Sequence, residues 1–126
     1  MGKTSIRTEF YFEAAHQLNL SYESKCENLH GHSYKCAITI TADKLNQDGM
    51  IVDFVEFKKI IKEKIEDRLD HKFLNEIFGE VNSTAEYMSK WICDEINTGL
   101  AEKGIDAKCT KVELNETAKN MAIYEE

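Results

Sequence analysis

The residues of this chain best suited to chemistry are His16, Cys26, His30 and His32. In His30-Gly31-His32 the imidazoles are two positions apart, and side chains alternate along a strand, so a strand there turns both toward one ion. His16, in FEAAHQL, ends the first strand and reaches the same spot if that strand pairs with that of His30 and His32. Three neutral imidazoles leave the charge of a divalent ion uncompensated and a fourth coordination position open, as in catalytic zinc sites. Without that pairing they are ordinary, partly exposed histidines. Cys26, by residue type alone, is either a fourth ligand or a plain loop cysteine. The chain has no CxxC pair, and Cys36, Cys93 and Cys109 fall within apolar patterns as small core residues.

The elements that must position these groups are legible in the hydrophobic period. Residues 4–13 alternate, with Ile6, Thr8, Phe10 and Phe12 against Arg7, Glu9, Tyr11 and Glu13, which predicts a half-buried strand. A second alternating run spans 32–42, and the polar segment 17–29 between them is longer than a hairpin turn needs. From Asp53 the period becomes helical, with Phe54, Phe57, Ile60, Ile61, Ile65 and Leu69 on one stripe and Asp53/Glu56 as a capping pair. A second helix is expected over 84–102, with Ser83/Glu86 as its capping box and Gly104 as its stop. Strands at 107–115 and 121–124 close the chain, the first with Cys109, Lys111 and Glu113 opposing Thr110, Val112 and Leu114. The order ββααββ describes an α+β domain, a four-stranded antiparallel sheet with two helices on one face. Its open sheet edges favour oligomerisation.

Composition excludes several classes. With 126 residues, 42% of them hydrophobic, and no proline-rich or low-complexity linker, residues 1–126 read as one globular domain. A net charge of −7 and a pI near 5.1 argue against nucleic acid or an anionic membrane as partner. The opening MGKTSIRTEF lacks the apolar run of a signal peptide, so a cytoplasmic protein is expected.

The string Cys26-Glu27-Asn28-Leu29-His30-Gly31-His32 resembles the C-x-x-x-H-G-H signature of 6-carboxytetrahydropterin synthases, close relatives of the 6-pyruvoyltetrahydropterin synthases. Phe12 to His16, Val52-Asp53-Phe54, Leu69-Asp70-His71, Asn82 to Glu86 and Asn115-Glu116-Thr117 follow in that family's order. The resemblance runs from about residue 8 to residue 124. It implies a T-fold (tunnelling fold) whose copies close a barrel as trimers or hexamers, with active sites between subunits. It further implies Zn²⁺ on His16, His30 and His32, and Cys26 as general base. Asp70 and His71 match an acid–base pair, and Glu116 the carboxylate that anchors the pterin ring. Thr84 is a further contact to the ring edge and also a helix-cap candidate. The implied substrate is the small molecule 7,8-dihydroneopterin triphosphate, for whose phosphates Lys25, Lys35 and Arg7 are candidates.

The short spacing from cysteine to HGH favours the carboxy-synthase reaction, which releases acetaldehyde and triphosphate on the route to queuosine. Glu27 directly after Cys26 resembles a subgroup that cleaves dihydroneopterin to 6-hydroxymethyl-dihydropterin for folate synthesis. A carboxylate there can remove a side-chain hydroxyl proton in a retro-aldol cleavage. Pyruvoyl formation ranks third. From a different class, the same fold could be a non-catalytic zinc or pterin-binding oligomer. Three neutral histidines also accept divalent metals other than zinc.

Overall fold

The computed structural model describes residues 2–126. Its strands are β1 (Thr4–His16), β2 (His30–Ala42), β3 (Lys72–Phe73), β4 (Lys108–Asn115) and β5 (Met121–Glu125). Its α-helices are α1 (Phe54–Ile61), α2 (Asp67–Leu69), α3 (Leu74–Phe78) and α4 (Ala85–Glu102). A π-helical turn, Lys62–Glu66, joins α1 to α2. The sheet order is β3-β1-β2-β4-β5, and every neighbour pairs antiparallel except β3, which runs parallel to β1 at Ala14 and Ala15. The expected four-stranded antiparallel sheet and the order ββααββ are therefore corrected to five strands in a mixed sheet. A two-residue strand carries no alternation to read; tertiary pairing alone creates it.

One face of the sheet is apolar because the even positions of β1 and β2 are. Phe10, Phe12, Ala14, Tyr34, Cys36, Ile38 and Ile40 are buried under Phe57, Ile60, Ile61, Ile65 and Leu69, and under Met88, Ile92, Ile96 and Leu100 of α4. Phe54, assigned to the same stripe, instead stands at the first helical position and is 49% exposed. In β4 the simple alternation fails. Ile40 pairs with Cys109 while Thr39 pairs with Lys111, so Thr110 is an extra, bulged residue. The bulge turns Cys109 onto the core face with Val112 and Leu114.

The helix caps are set by side chains. Asp53 Oδ1 accepts from Val55 N at 2.7 Å, as its capping role requires. For α4 the cap is Thr84, whose hydroxyl accepts from Tyr87 N at 3.1 Å, and not Ser83. Gly104, with φ of 68°, stands just beyond the end of α4. Close approach of α4 to α1 rests on Gly99, where a Cβ would lie 2.6 Å from Ile60 Cγ2. Ile60 is buried and β-branched, so it cannot yield cheaply. Gly99→Val should cost about 2 kcal/mol or more, read as a fall of roughly 5–10 °C in the thermal unfolding midpoint. An unchanged midpoint would mean that the two helices do not meet there.

Candidate metal centre and active site

The β1–β2 register sets the histidines. His16 pairs with His30 and Ala14 with His32, so all three imidazoles stand at one end of the core face. One ring nitrogen from each lies within 4.8 Å of the others. His16 and His30 are tied from behind. His16 Nδ1 lies 3.0 Å from both the carbonyl and the hydroxyl of Ser83, and His30 Nδ1 lies 2.8 Å from the Asn28 carbonyl. If each Nδ1–H donates to its carbonyl, both Nε2 atoms carry lone pairs, and they face each other at 2.9 Å. Two such acceptors cannot bond one another. They need a cation between them, and His32 Nε2 is buried with no hydrogen-bond partner. This donor set fits a divalent metal, with Ser83 and Asn28 orienting the ligands. His16, His30 and His32 together form a group able to hold one.

Burial, then the neighbouring His30, lowers the pKa of His16 to about 4, against the opposing hydrogen bond to Ser83. Burial likewise lowers His32, with the Glu116 carboxylate acting the other way. His16 is fully buried, so the shift carries stability. Unfolded, the imidazole protonates near pH 6.5; folded, it resists until about pH 4. The unfolded state therefore binds more protons in between. The contribution of the neutral imidazole is complete above pH 6.5 and is lost as pH falls toward 4. Chelated protein should lose about 3 kcal/mol over that window relative to His16→Gln. Thermal unfolding from pH 7.5 to pH 4.5 checks this, and parallel curves for the two proteins would refute it.

Cys26 and Glu27 lie in a single 3-10 turn, Lys25–Glu27, both half-buried. This turn is stitched to the chain leaving β1. Leu18 N donates to the Cys26 carbonyl at 2.9 Å. On the other side, Asn75 and Asn82 act as surrogate strand edges. Each amide accepts from and donates to the backbone of one residue, Gln17 and Asn19 respectively, at 2.8–2.9 Å. A lone Asn gives no signal in the sequence that it will pair like a peptide. Among the described residues, the Cys26 thiol makes no hydrogen bond to a histidine.

Asp70 and His71 do touch: Asp70 Oδ2 lies 3.0 Å from His71 Nδ1. Glu13 of β1 clamps the pair through its backbone, donating from N to Asp70 Oδ1 at 2.8 Å and accepting from His71 N at 2.6 Å. That peptide hydrogen bond, ahead of the His71 imidazole, holds the Asp70 carboxyl below its usual range. His71 adopts φ of 60°, a left-handed conformation costly for a non-glycine residue. Its side chain is 78% exposed and is not one of the three clustered imidazoles, although with Gly31, His32 and Lys72 it lines one open pocket.

Glu116 joins the histidines directly: its Oε1 lies 3.6 Å from His32 Nε2. With Ala85, Glu86, Asn120, Met121 and Ala122 it lines a cavity of about 230 Å³. Thr84 sits beside that cavity in sequence, with its hydroxyl engaged as the α4 cap. Of the three phosphate candidates, Arg7 pairs with Glu9 and Glu113, and Lys35 with Glu9. Both stand at odd positions of their strands, on the face opposite the histidines. Lys25 remains, next to Cys26.

The family model for 6-pyruvoyl tetrahydropterin synthase matches residues 5–126, and the chain belongs to that family. It is 36% identical over 123 residues to the 6-carboxy-5,6,7,8-tetrahydropterin synthase of Synechocystis sp., covering 94% of this chain and 91% of the relative. It is 33% identical to the 6-pyruvoyl tetrahydrobiopterin synthase of Drosophila melanogaster, covering 90% and 74%. The solved structure of Caenorhabditis elegans 6-pyruvoyl tetrahydropterin synthase superposes with a TM-score of 0.83 at 25% identity, covering 100% and 97%. The fold is thus the α+β T-fold of these synthases, and the protein is an enzyme of their class. Among the described residues no helix is long and apolar enough to cross a membrane.

Proposed function

We propose that this protein is a zinc-dependent lyase that converts 7,8-dihydroneopterin triphosphate to 6-carboxy-5,6,7,8-tetrahydropterin, releasing acetaldehyde and triphosphate. The observation that carries this reading is the convergence of three imidazoles, one of them beside the Glu116 carboxylate, which itself lines a cavity. Zn²⁺ on His16, His30 and His32 supplies Lewis acidity toward the hydroxyls of the substrate side chain. Glu116 holds the pterin, since a carboxylate accepts two parallel hydrogen bonds from a ring N–H and an exocyclic amine. Thr84 contributes at the ring edge. Cys26 removes the side-chain proton, and Asp70 orients His71 for proton exchange at the far end of the side chain. Lys25, the candidate cation without an ion-pair partner among the described residues, takes the triphosphate.

The outward, strained His71 supports an assembly in which the Asp70–His71 pair of one copy serves the metal group of another. This is a homo-oligomer, trimeric or hexameric, with shared sites. Strain at an exposed imidazole is retained where it serves function. A cytoplasmic place on the queuosine route accords with the substrate.

A second reading rests on Glu27, half-buried in the same turn as Cys26. With that carboxylate as base, dihydroneopterin is cleaved to 6-hydroxymethyl-dihydropterin, a folate precursor. A mass-resolved product assay on zinc-loaded protein separates the two. Carboxytetrahydropterin and acetaldehyde from the triphosphate alone support the first reading. Hydroxymethyl-dihydropterin from the dephosphorylated substrate overturns it in favour of the second, and binding of either substrate without turnover leaves a pterin-binding oligomer.

A further inference from the structure

Two buried side-chain polar atoms among the described residues lack a hydrogen-bond partner: His32 Nε2 and the hydroxyl of Tyr34. The metal group accounts for the first. The second is not explained by the metal group. Tyr34 is fully buried, two residues beyond His32 on the same face of β2. Its ring stacks on Phe12 with centroids 4.7 Å apart and planes 10° from parallel. It meets His32 edge-on at 5.4 Å and His16 at 6.5 Å. The β2–β4 pairing ends at Lys35 with Asn115, so Tyr34 and Glu116 are each one residue past that last pair, Glu116 in the bend that follows β4.

A phenol stranded in this way costs stability, because its hydroxyl has lost water and gained nothing. Phenylalanine would stack on Phe12 equally well. The hydroxyl itself is sealed from solvent, so a ligand in the cavity cannot reach it. The group able to carry its effect to a ligand is Glu116, which is only partly buried and whose Oε1 is loosely engaged by His32 at 3.6 Å. Its charge already bears on the phenol, adding to burial in raising the Tyr34 pKa.

We infer that Tyr34 is a positioning residue, whose hydroxyl donates to the Glu116 carboxylate once that carboxylate turns from His32 to a bound pterin ring. The donor fixes the rotamer in which both carboxylate oxygens face the ring edge. This rests on the reading of Glu116 as the pterin anchor.

The test is binding of neopterin, a fluorescent pterin that is not turned over, to zinc-loaded parent, Tyr34→Phe, Glu116→Gln and the double variant, with unfolding midpoints of each without ligand. Tyr34→Phe should weaken neopterin about 10-fold, as loss of a hydrogen bond to a charged group does. Its ligand-free midpoint should be equal to or above that of the parent. In the Glu116→Gln background the second substitution should cost less than in the parent, since the amide oxygen is a weaker, uncharged acceptor for the phenol. An unchanged dissociation constant in Tyr34→Phe, additive losses in the double variant, or a lowered midpoint would each overturn the inference while leaving the pterin site intact. A parent protein that does not bind neopterin would overturn both together.

Discussion

His30→Ala should strip the protein of its metal and reduce turnover to background while leaving the fold in place. The backbone of β1 and β2 is paired over thirteen residue positions, and His30 lies at the end of that ladder, so the sheet does not depend on its side chain. The metal group does. His16 Nε2 and His30 Nε2 are held 2.9 Å apart by anchors behind each ring, Ser83 for one and Asn28 for the other. Removing one imidazole leaves two ligands and a gap that water fills poorly. Loss of an anchoring partner alone costs about 10–100-fold in metal affinity, so loss of the ligand should cost more than ~100-fold. Metal content after dialysis, with circular dichroism as the control for folding, reads this directly. A variant that keeps its metal would show that His30 is not a ligand, whatever became of the activity. His71→Ala supplies the converse, because its exposed ring stands outside the group: it should keep the metal and lose the rate.

Why the three-histidine cluster was legible from sequence, and its supports were not, is a matter of range. Alternation along a strand is a local property, so His30 and His32 could be put on one face by counting, and His16 beside them by pairing two such strands. The same counting misplaces Cys109, because a single bulged residue at Thr110 reverses every face upstream of it in β4. Ser83 was read as a helix cap from its spacing to Glu86, yet Thr84 takes the cap and Ser83 braces His16 across 67 positions of chain. Either hydroxyl can cap a helix, and the spacing to Glu86 favours Ser83; only the third dimension assigns the cap to Thr84. Asn75 and Asn82 hold the chain leaving β1 by imitating strand edges, and β3 pairs with Ala14 and Ala15 directly after the contacts of Asp70 and His71 with the Glu13 peptide. Interactions between distant segments leave no period in the sequence. Recognisable motifs, carried in order over nearly the whole chain, supplied what spacing could not.

Cys26→Ala should lower turnover by about 10²–10⁴-fold, the range expected when a general base is removed, and should leave the metal bound. The two halves of that expectation test different things. Retention of metal separates Cys26 from the ligands: the histidine group is complete without the thiol, whose turn is anchored through backbone contacts to Leu18 and Ser24 that alanine preserves. If the metal leaves with the thiol, Cys26 is a fourth ligand, the open coordination position disappears, and the proposed chemistry has no place for its substrate. The rate separates Cys26 from its neighbour. Glu27→Gln keeps the size of that side chain and removes its charge, so under the carboxy-synthase reading it should change the rate less than threefold or so, as an uninvolved side chain does. Under the folate-type reading the order reverses, with Glu27→Gln abolishing hydroxymethyl-dihydropterin formation and Cys26→Ala sparing it. The two residues share one turn and are both half-buried, so a general loss of loop order would affect both variants alike and not produce that reversal. Whichever substitution abolishes product formation identifies the base, and with it the bond that this enzyme breaks.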